Sequence, residues 1–103
     1  MQLKGTLPAL ILNTLAGGHK HGYLIAQEIK AKSKGVLDFK EGSLYPALHG
    51  LENDGFIESN REIFEGRPRR YYRLTEQGIK QLEKEREEWQ QLSGAVSLIL
   101  EGG

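Results

Sequence analysis

Apolar residues recur at three- and four-residue spacings in four stretches of this chain, with a shorter alternating stretch before the last. Leu3, Leu7, Leu10, Ile11 and Leu15 share one helical face and predict a first helix from about Gly5 or Thr6 to Ala16, ended by Gly17-Gly18. Pro8 is tolerated near its start, where the first turn has no intrahelical acceptor for the missing N–H. Ile25, Ala26 and Ile29 mark the inward side of a second helix, about Tyr23 to Lys34, closed by a left-handed Gly35. Its late lysines suit the negative carboxyl end of a helix as well as any ligand. Val36 to Phe39 alternates loosely and fits either a short strand or the turn between two helices.

The third helix begins near Gly42 or Ser43, with the serine hydroxyl as its cap and Pro46 within about the first turn. Leu44, Leu48 and Leu51 form its buried stripe, which turns Ser43, Pro46, Ala47, His49 and Gly50 to the opposite side. Tyr45 lies a quarter turn from the stripe, where its ring can pack and its hydroxyl can reach out. Asn53-Asp54-Gly55 breaks the helix. A hairpin follows, Ile57 to Phe64 outward and Arg70 to Leu74 returning, around a turn containing Gly66 and Pro68. Thr75 then caps a helix of about 25 residues along which Ile79, Leu82, Arg86, Trp89, Leu92 or Ser93, Val96 and Leu100 recur at three and four.

Length and composition bound this pattern to one domain: 103 residues, 38% of them hydrophobic, fill a single modest core. Net charge is zero, but it is unevenly placed. Arg61 to Arg73 carries five arginines against two glutamates, whereas Glu76 to Glu88 carries five glutamates against three basic residues. The absence of cysteine removes disulfides, thiolate metal sites and cysteine nucleophiles, and fits the cytoplasm. Lys4 followed by LPALILNTLAGG has the outline of a short signal sequence, but Pro8, Asn13 and Thr14 interrupt the run, and an amphipathic helix fits it better. No apolar run is long enough to span a membrane.

Catalytic chemistry has little support. His19 and His21 precede the second helix and His49 lies on the third, without cysteines or carboxylates at ligand spacing, so no metal or other cofactor is expected. No nucleophile elbow and no phosphate loop after a strand is present, and paired carboxylates such as Glu87-Glu88 belong to a solvated helix face.

A slim third helix with a free outward face, followed at once by a basic hairpin, is instead suited to duplex DNA. Such a helix fits a major groove about 12 Å wide, and arginines suit phosphates or a narrow minor groove. The runs EGSLYPALHGLENDGFI and GRPRRYYRLTEQG, from Glu41 to Gly78, together with LKGTLPALILNTLAGGHKHGYLIAQEI, resemble the PadR family of bacterial transcriptional regulators. The resemblance implies a mainly α (α+β) fold: a winged helix-turn-helix over residues 1–75 and a carboxyl-terminal dimerisation helix over 76–103, together one compact unit. It also implies repression of transcription, with release by a small molecule or another signal. Lys40, Ser43, Tyr45, Pro46 and His49 would meet DNA from the recognition helix, and Arg67, Arg69 and Arg70 from the wing.

A terminal helix of roughly 35 Å outruns the core of a small domain, so its distal apolar residues are expected to bury against a second copy. Leu82, Trp89, Leu92 and Val96 are the expected dimer interface or effector pocket. In some short members of the family a tryptophan at a comparable point stacks flat aromatic compounds between subunits, which makes a planar aromatic effector the implied ligand of Trp89. Packing of the dimer alone also accounts for an aromatic there. A two-fold dimer would place recognition helices in successive turns of one groove, on an imperfect palindrome. The competing class is a winged helix that meets an acidic protein surface instead of DNA.

Overall fold

The computed structural model describes residues 3–102, with side chains from residue 6 onward. Seven elements follow one another: α1 (Leu3–Leu15), β1 (Lys20–His21), α2 (Gly22–Lys32), α3 (Glu41–Asn53), β2 (Ile57–Phe64), β3 (Arg67–Leu74) and α4 (Glu76–Leu100). The strands form one antiparallel sheet in the order β1-β3-β2. Helices α1, α2 and α3 pack on one side of that sheet, and α4 crosses back over α1.

Helix α1 is the centre of the core. Leu7, Ile11, Leu12 and Leu15 are all buried, Leu10 is half-buried, and even Thr14 is buried, its hydroxyl donating to the Leu10 carbonyl at 2.8 Å. The face is therefore wider than the spacing alone predicts, because α1 is covered by α2, α3 and α4 together. The inward placement expected for Leu3 lies outside the described side chains. Pro8 falls in the second turn rather than the first, since the helix begins at Leu3.

Helix α2 starts one residue earlier than expected, with His21 as its cap: the Leu24 N–H donates to His21 Nδ1 at 3.3 Å. Its end also differs. The Lys34 N–H reaches the Ala31 carbonyl and the Gly35 N–H the Lys30 carbonyl; Gly35 is left-handed as expected, at φ 83°, but Lys34 before it already is, at φ 54°. Residues 36–39 form no strand, and Val36 is exposed.

Helix α3 begins at Glu41, two residues ahead of the serine expected to cap it. Lys40 is the cap residue and makes no side-chain cap bond; its carbonyl accepts from the Leu44 N–H at 2.9 Å. Ser43 is consequently a first-turn residue, and Pro46 stands in the second turn. The proline leaves the Gly42 carbonyl without its helical donor, and exposed Gly42 lets water supply one. At the other end, the Phe56 N–H reaches the Leu51 carbonyl and the Gly55 N–H the Glu52 carbonyl, with Gly55 at φ 81°. This sharp reversal throws Phe56 back onto the core and aims β2 along α3.

The hairpin closes through two residues, Glu65 and Gly66, both at positive φ. Pro68 is therefore not in the turn but in β3, opposite Ile63. A two-residue turn makes Phe64 and Arg67 the hydrogen-bonded pair, so the proline's absent N–H faces the other edge of β3, beyond the end of β1. The pairing of Lys20–His21 with Tyr72 and Tyr71 was not anticipated. Ile57, Tyr72 and Leu74 carry the inner face of the sheet onto the helices. This is a winged helix extended by a long terminal helix.

Candidate nucleic-acid interface

Leu44, Leu48 and Leu51 are buried, as the phase of α3 demands, and Ser43, Pro46, His49 and Gly50 are exposed on the far side. Ala47 is half-buried against the core rather than outward. A Cβ added at Gly42 or Gly50 would meet nothing within 4 Å, so this side of the helix is narrow and open. Tyr45 is half-buried because its ring lies over Gly22, where a Cβ would come within 3.1 Å of the ring and 3.2 Å of the hydroxyl. Gly22 thus lets α2 and α3 approach closely. Sequence reasoning missed it, although an HGY run before a helix was there to be questioned.

Lys40 is exposed but engaged: its ammonium lies 3.1 Å from Asp38 Oδ2, and Lys30 lies 3.5 Å from the same oxygen. The hydrogen bond from Lys40 outweighs the opposing effect of desolvation and, with the charges of Lys30 and Lys40 added, holds the Asp38 carboxyl below its ordinary range. The pair fixes Lys40 at the mouth of α3, next to Glu41 and Tyr45.

The wing arginines separate onto two faces because strand side chains alternate. Arg70 shares the inner face with Tyr72, and its Nη1 donates to Ser59 Oγ at 2.9 Å; Ser59 in turn donates to Glu52 Oε2 on α3 at 2.5 Å. Glu52, Ser59 and Arg70 therefore tie the wing to α3. Arg67 and Arg69 occupy the outer face, and the Arg69 guanidinium sits 5.8 Å from the Phe64 ring centre. Its Nε is buried without a hydrogen-bond partner. Among the described residues, Arg61, Arg67, Arg69 and Arg70 form no ion pair, whereas Arg73 lies 3.6 Å from Glu58. Four cationic side chains around one hairpin tip are thus outside any ion pair, with Arg70 alone linked to a carboxylate, through Ser59.

The histidines of the outer sheet face belong to an aromatic cluster. Tyr71 packs against His19 and edge-on against His21, and His21 stacks parallel to Tyr23. His19 Nε2 stands 3.9 Å from Glu62. Among the described residues, no three His, Cys, Asp or Glu side chains are placed to hold a metal ion.

Burial, and then the positive charge of Arg69, lowers the His21 pKa below its ordinary value. The unfolded chain then binds the proton more readily than the folded one, so stability should fall as pH drops from about 6.5 toward the lowered value. Protonation also removes the Nδ1 acceptor from the cap and puts a cation at the positive end of α2. His21→Asn, which can cap without titrating, should lose less stability than the wild type between about pH 7.5 and 5.5 in urea unfolding. Equal losses in both proteins would refute the assignment.

Along α4, Trp89 is 52% and Val96 42% exposed, Leu92 is half-buried, and Leu98, Ile99 and Leu100 are exposed. Leu82 differs from these. It is 4% exposed and occupied in the chain's own core, so it offers no free surface to a partner. Arg86, in the same first half of the helix, donates to Asn13 Oδ1 of α1 at 2.5 Å.

The comparisons agree with this geometry. Residues 11–84 match the model of the transcriptional regulator PadR-like family. The chain is similar to a transcriptional regulator of Mycobacterium tuberculosis, 36% identical over 86 residues that cover 84% of this chain and 78% of the relative. Among solved structures it resembles a transcriptional regulator from Clostridium thermocellum, with TM-score 0.89 at 31% identity over 96% of this chain and 94% of that one. A PadR-like transcriptional regulator from Bacillus cereus superposes with TM-score 0.84 at 29% identity, over 98% and 97% of the two chains. With α3 and the wing inside the family match and nearly the whole chain, α4 included, covered by the two solved structures, the chain belongs to the PadR-like family of transcriptional regulators.

Proposed function

We propose that the chain is a cytoplasmic, homodimeric repressor that binds an imperfect palindrome in duplex DNA and is released by a planar aromatic effector held near Trp89. The observation that carries the DNA contact is the coupling of two unlike surfaces: the slim outward side of α3 and a hairpin tip whose arginines lie outside any ion pair, tied together through Glu52, Ser59 and Arg70. Ser43, Tyr45, Pro46 and His49 approach base edges, with Lys40 beside them, while Arg67, Arg69 and Arg70 approach the backbone. Residues 1–75 form the DNA-binding part and 76–103 the dimerisation helix, one unit because Gly78 and Leu82 are buried in the common core. The second copy is supported by α4 itself, whose end carries Val96, Leu98, Ile99 and Leu100 into solvent on a molecule 56 Å long but only 29 and 22 Å across.

Selection of bound duplexes from random DNA, followed by anisotropy titration at several salt concentrations, tests this assignment. About four phosphate contacts per subunit give a log–log salt slope near −7 for the dimer. A shallow slope and no consensus would favour a protein partner instead. Arg69→Ala with Arg70→Ala should weaken binding to all duplexes alike, whereas changes at Ser43 or His49 should alter the preference among them. Unaltered affinity in the double arginine variant would remove the wing from the interface.

The effector is tested separately. Trp89 is the only tryptophan, so its emission reports directly on the seam. Planar cationic dyes should quench it and lower DNA affinity together. Saturating dye without either change would show that Trp89 only packs the dimer.

A further inference from the structure

The exposed apolar residues of α4 have an occupant in the second copy, but Ile63 has none. It stands next to the end of β2 at the wing tip, 79% exposed, on the same strand face as Arg61 and Ser59. Pro68, also exposed, lies directly opposite. The two-residue turn makes this a non-hydrogen-bonded pair, in which facing Cα atoms are only about 4.5 Å apart. A β-branched side chain and a proline ring, both with little rotational freedom, therefore form one stiff apolar nub.

Charge surrounds that nub in an unusual way. On the same face Arg61 stands opposite Arg70, a close like-charge pair that opposes folding of the free hairpin. Among the described residues neither has an acidic ion-pair partner, and neither have Arg67 and Arg69 on the other face. Phe64, by contrast, has Arg69 beside its ring and His21 near it. The tip is thus an apolar wedge flanked on its own face by Arg61 and Arg70, with Arg67 and Arg69 on the reverse face, a surface complementary to a narrow groove walled by phosphates.

We propose that the wing deforms the DNA it binds: the Ile63–Pro68 wedge enters the minor groove and partly unstacks one base step, while Arg61 and Arg70 hold the phosphates on either side. The proposal rests on the DNA-binding reading above and adds a mechanical activity to it. Apolar wedges of this kind kink duplexes by roughly 20–90° toward the major groove. Pyrimidine–purine steps unstack most easily, so the wing selects a TA or CA step without a hydrogen bond to either base.

The test uses the full chain and a duplex recovered by selection with it, placed at different positions in fragments of equal length. A bend makes the electrophoretic mobility of the complex depend on position, slowest when the site is central. Ile63→Ser should reduce that dependence to less than about half, with affinity lowered about 3- to 30-fold, while Ile63→Met retains both. Replacing the TA or CA step under the wing with a purine–purine step should weaken the wild type more than Ile63→Ser. Matched melting temperatures of the variants show that folding is not the cause. Binding with position-independent mobility overturns the wedge alone. Bending by Ile63→Ser equal to the wild type, or a change in its oligomeric state, does the same. Failure to bind any duplex overturns the DNA-binding reading, and the wedge with it.

Discussion

Gly78→Ala is expected to cost about 3 kcal/mol or more of stability and to lower the melting temperature by at least about 10 °C. Gly78 sits in the first turn of α4, where its N–H donates to the Thr75 hydroxyl at 3.0 Å. A Cβ there would meet the Phe56 carbonyl oxygen at 1.9 Å and Leu74 Cδ2 at 3.1 Å. The obstacle is backbone, and that backbone is already held: the same carbonyl accepts the Thr75 N–H at 3.1 Å, and the Thr75 hydroxyl donates to the Gly55 carbonyl at 2.6 Å. Relief would require α4 to separate from the α3–β2 corner. Gly50→Ala, in open space on an exposed helix, is the control and should gain roughly 0.5–1 kcal/mol. Urea unfolding followed by circular dichroism measures both, and a Gly78→Ala loss below about 1 kcal/mol would sink the packing argument.

Val96→Glu combined with Ile99→Glu should leave a folded monomer whose affinity for a two-half-site duplex is about 10²–10⁴-fold lower. The two side chains lie three residues apart on the exposed half of α4, on the side that continues from Trp89. Carboxylates there repel their symmetry mates and remain solvated in the monomer, so the dimer alone is penalised. Linked DNA-binding heads gain affinity because the second contact is made at a local concentration in the millimolar range, and that gain disappears with the link. Sedimentation gives the mass, and titration of a single half-site duplex should show little change. Persistence of the dimer would place the second copy on another surface.

Much of the fold was legible because its periodicities are strong. Leu44, Leu48 and Leu51 set the phase of α3, and Ile25 with Ile29 that of α2, whatever the exact ends. The ends themselves were less legible, since Ser43 and Pro46 are both good start signals and drew the expected beginning of α3 forward. The structure starts it at Glu41, with only the backbone of Lys40 as cap. Pro68 is likewise a turn signal whose place in a strand depends on where β1 stops. β1 itself has two residues and no alternation to detect. Leu82 shows a deeper ambiguity: three-and-four spacing shows that a side chain is buried, not whether its own chain or another copy buries it. The split of the wing arginines follows from a register that only the Glu65–Gly66 turn fixes.

The tether from Glu52 through Ser59 to Arg70 has a mechanical consequence. Helix α3 and the hairpin cannot change their mutual angle without breaking the short Ser59–Glu52 hydrogen bond, which Arg70 braces from β3, so each head behaves as a stiff caliper jaw. Arg86 and Leu82 fasten the first half of α4 to that jaw through α1. In the proposed dimer, a signal entering near Trp89 would be transmitted as a change in the span between two jaws, and a shift of a few ångströms against a fixed helical repeat would be enough to put one of them out of step with its half-site.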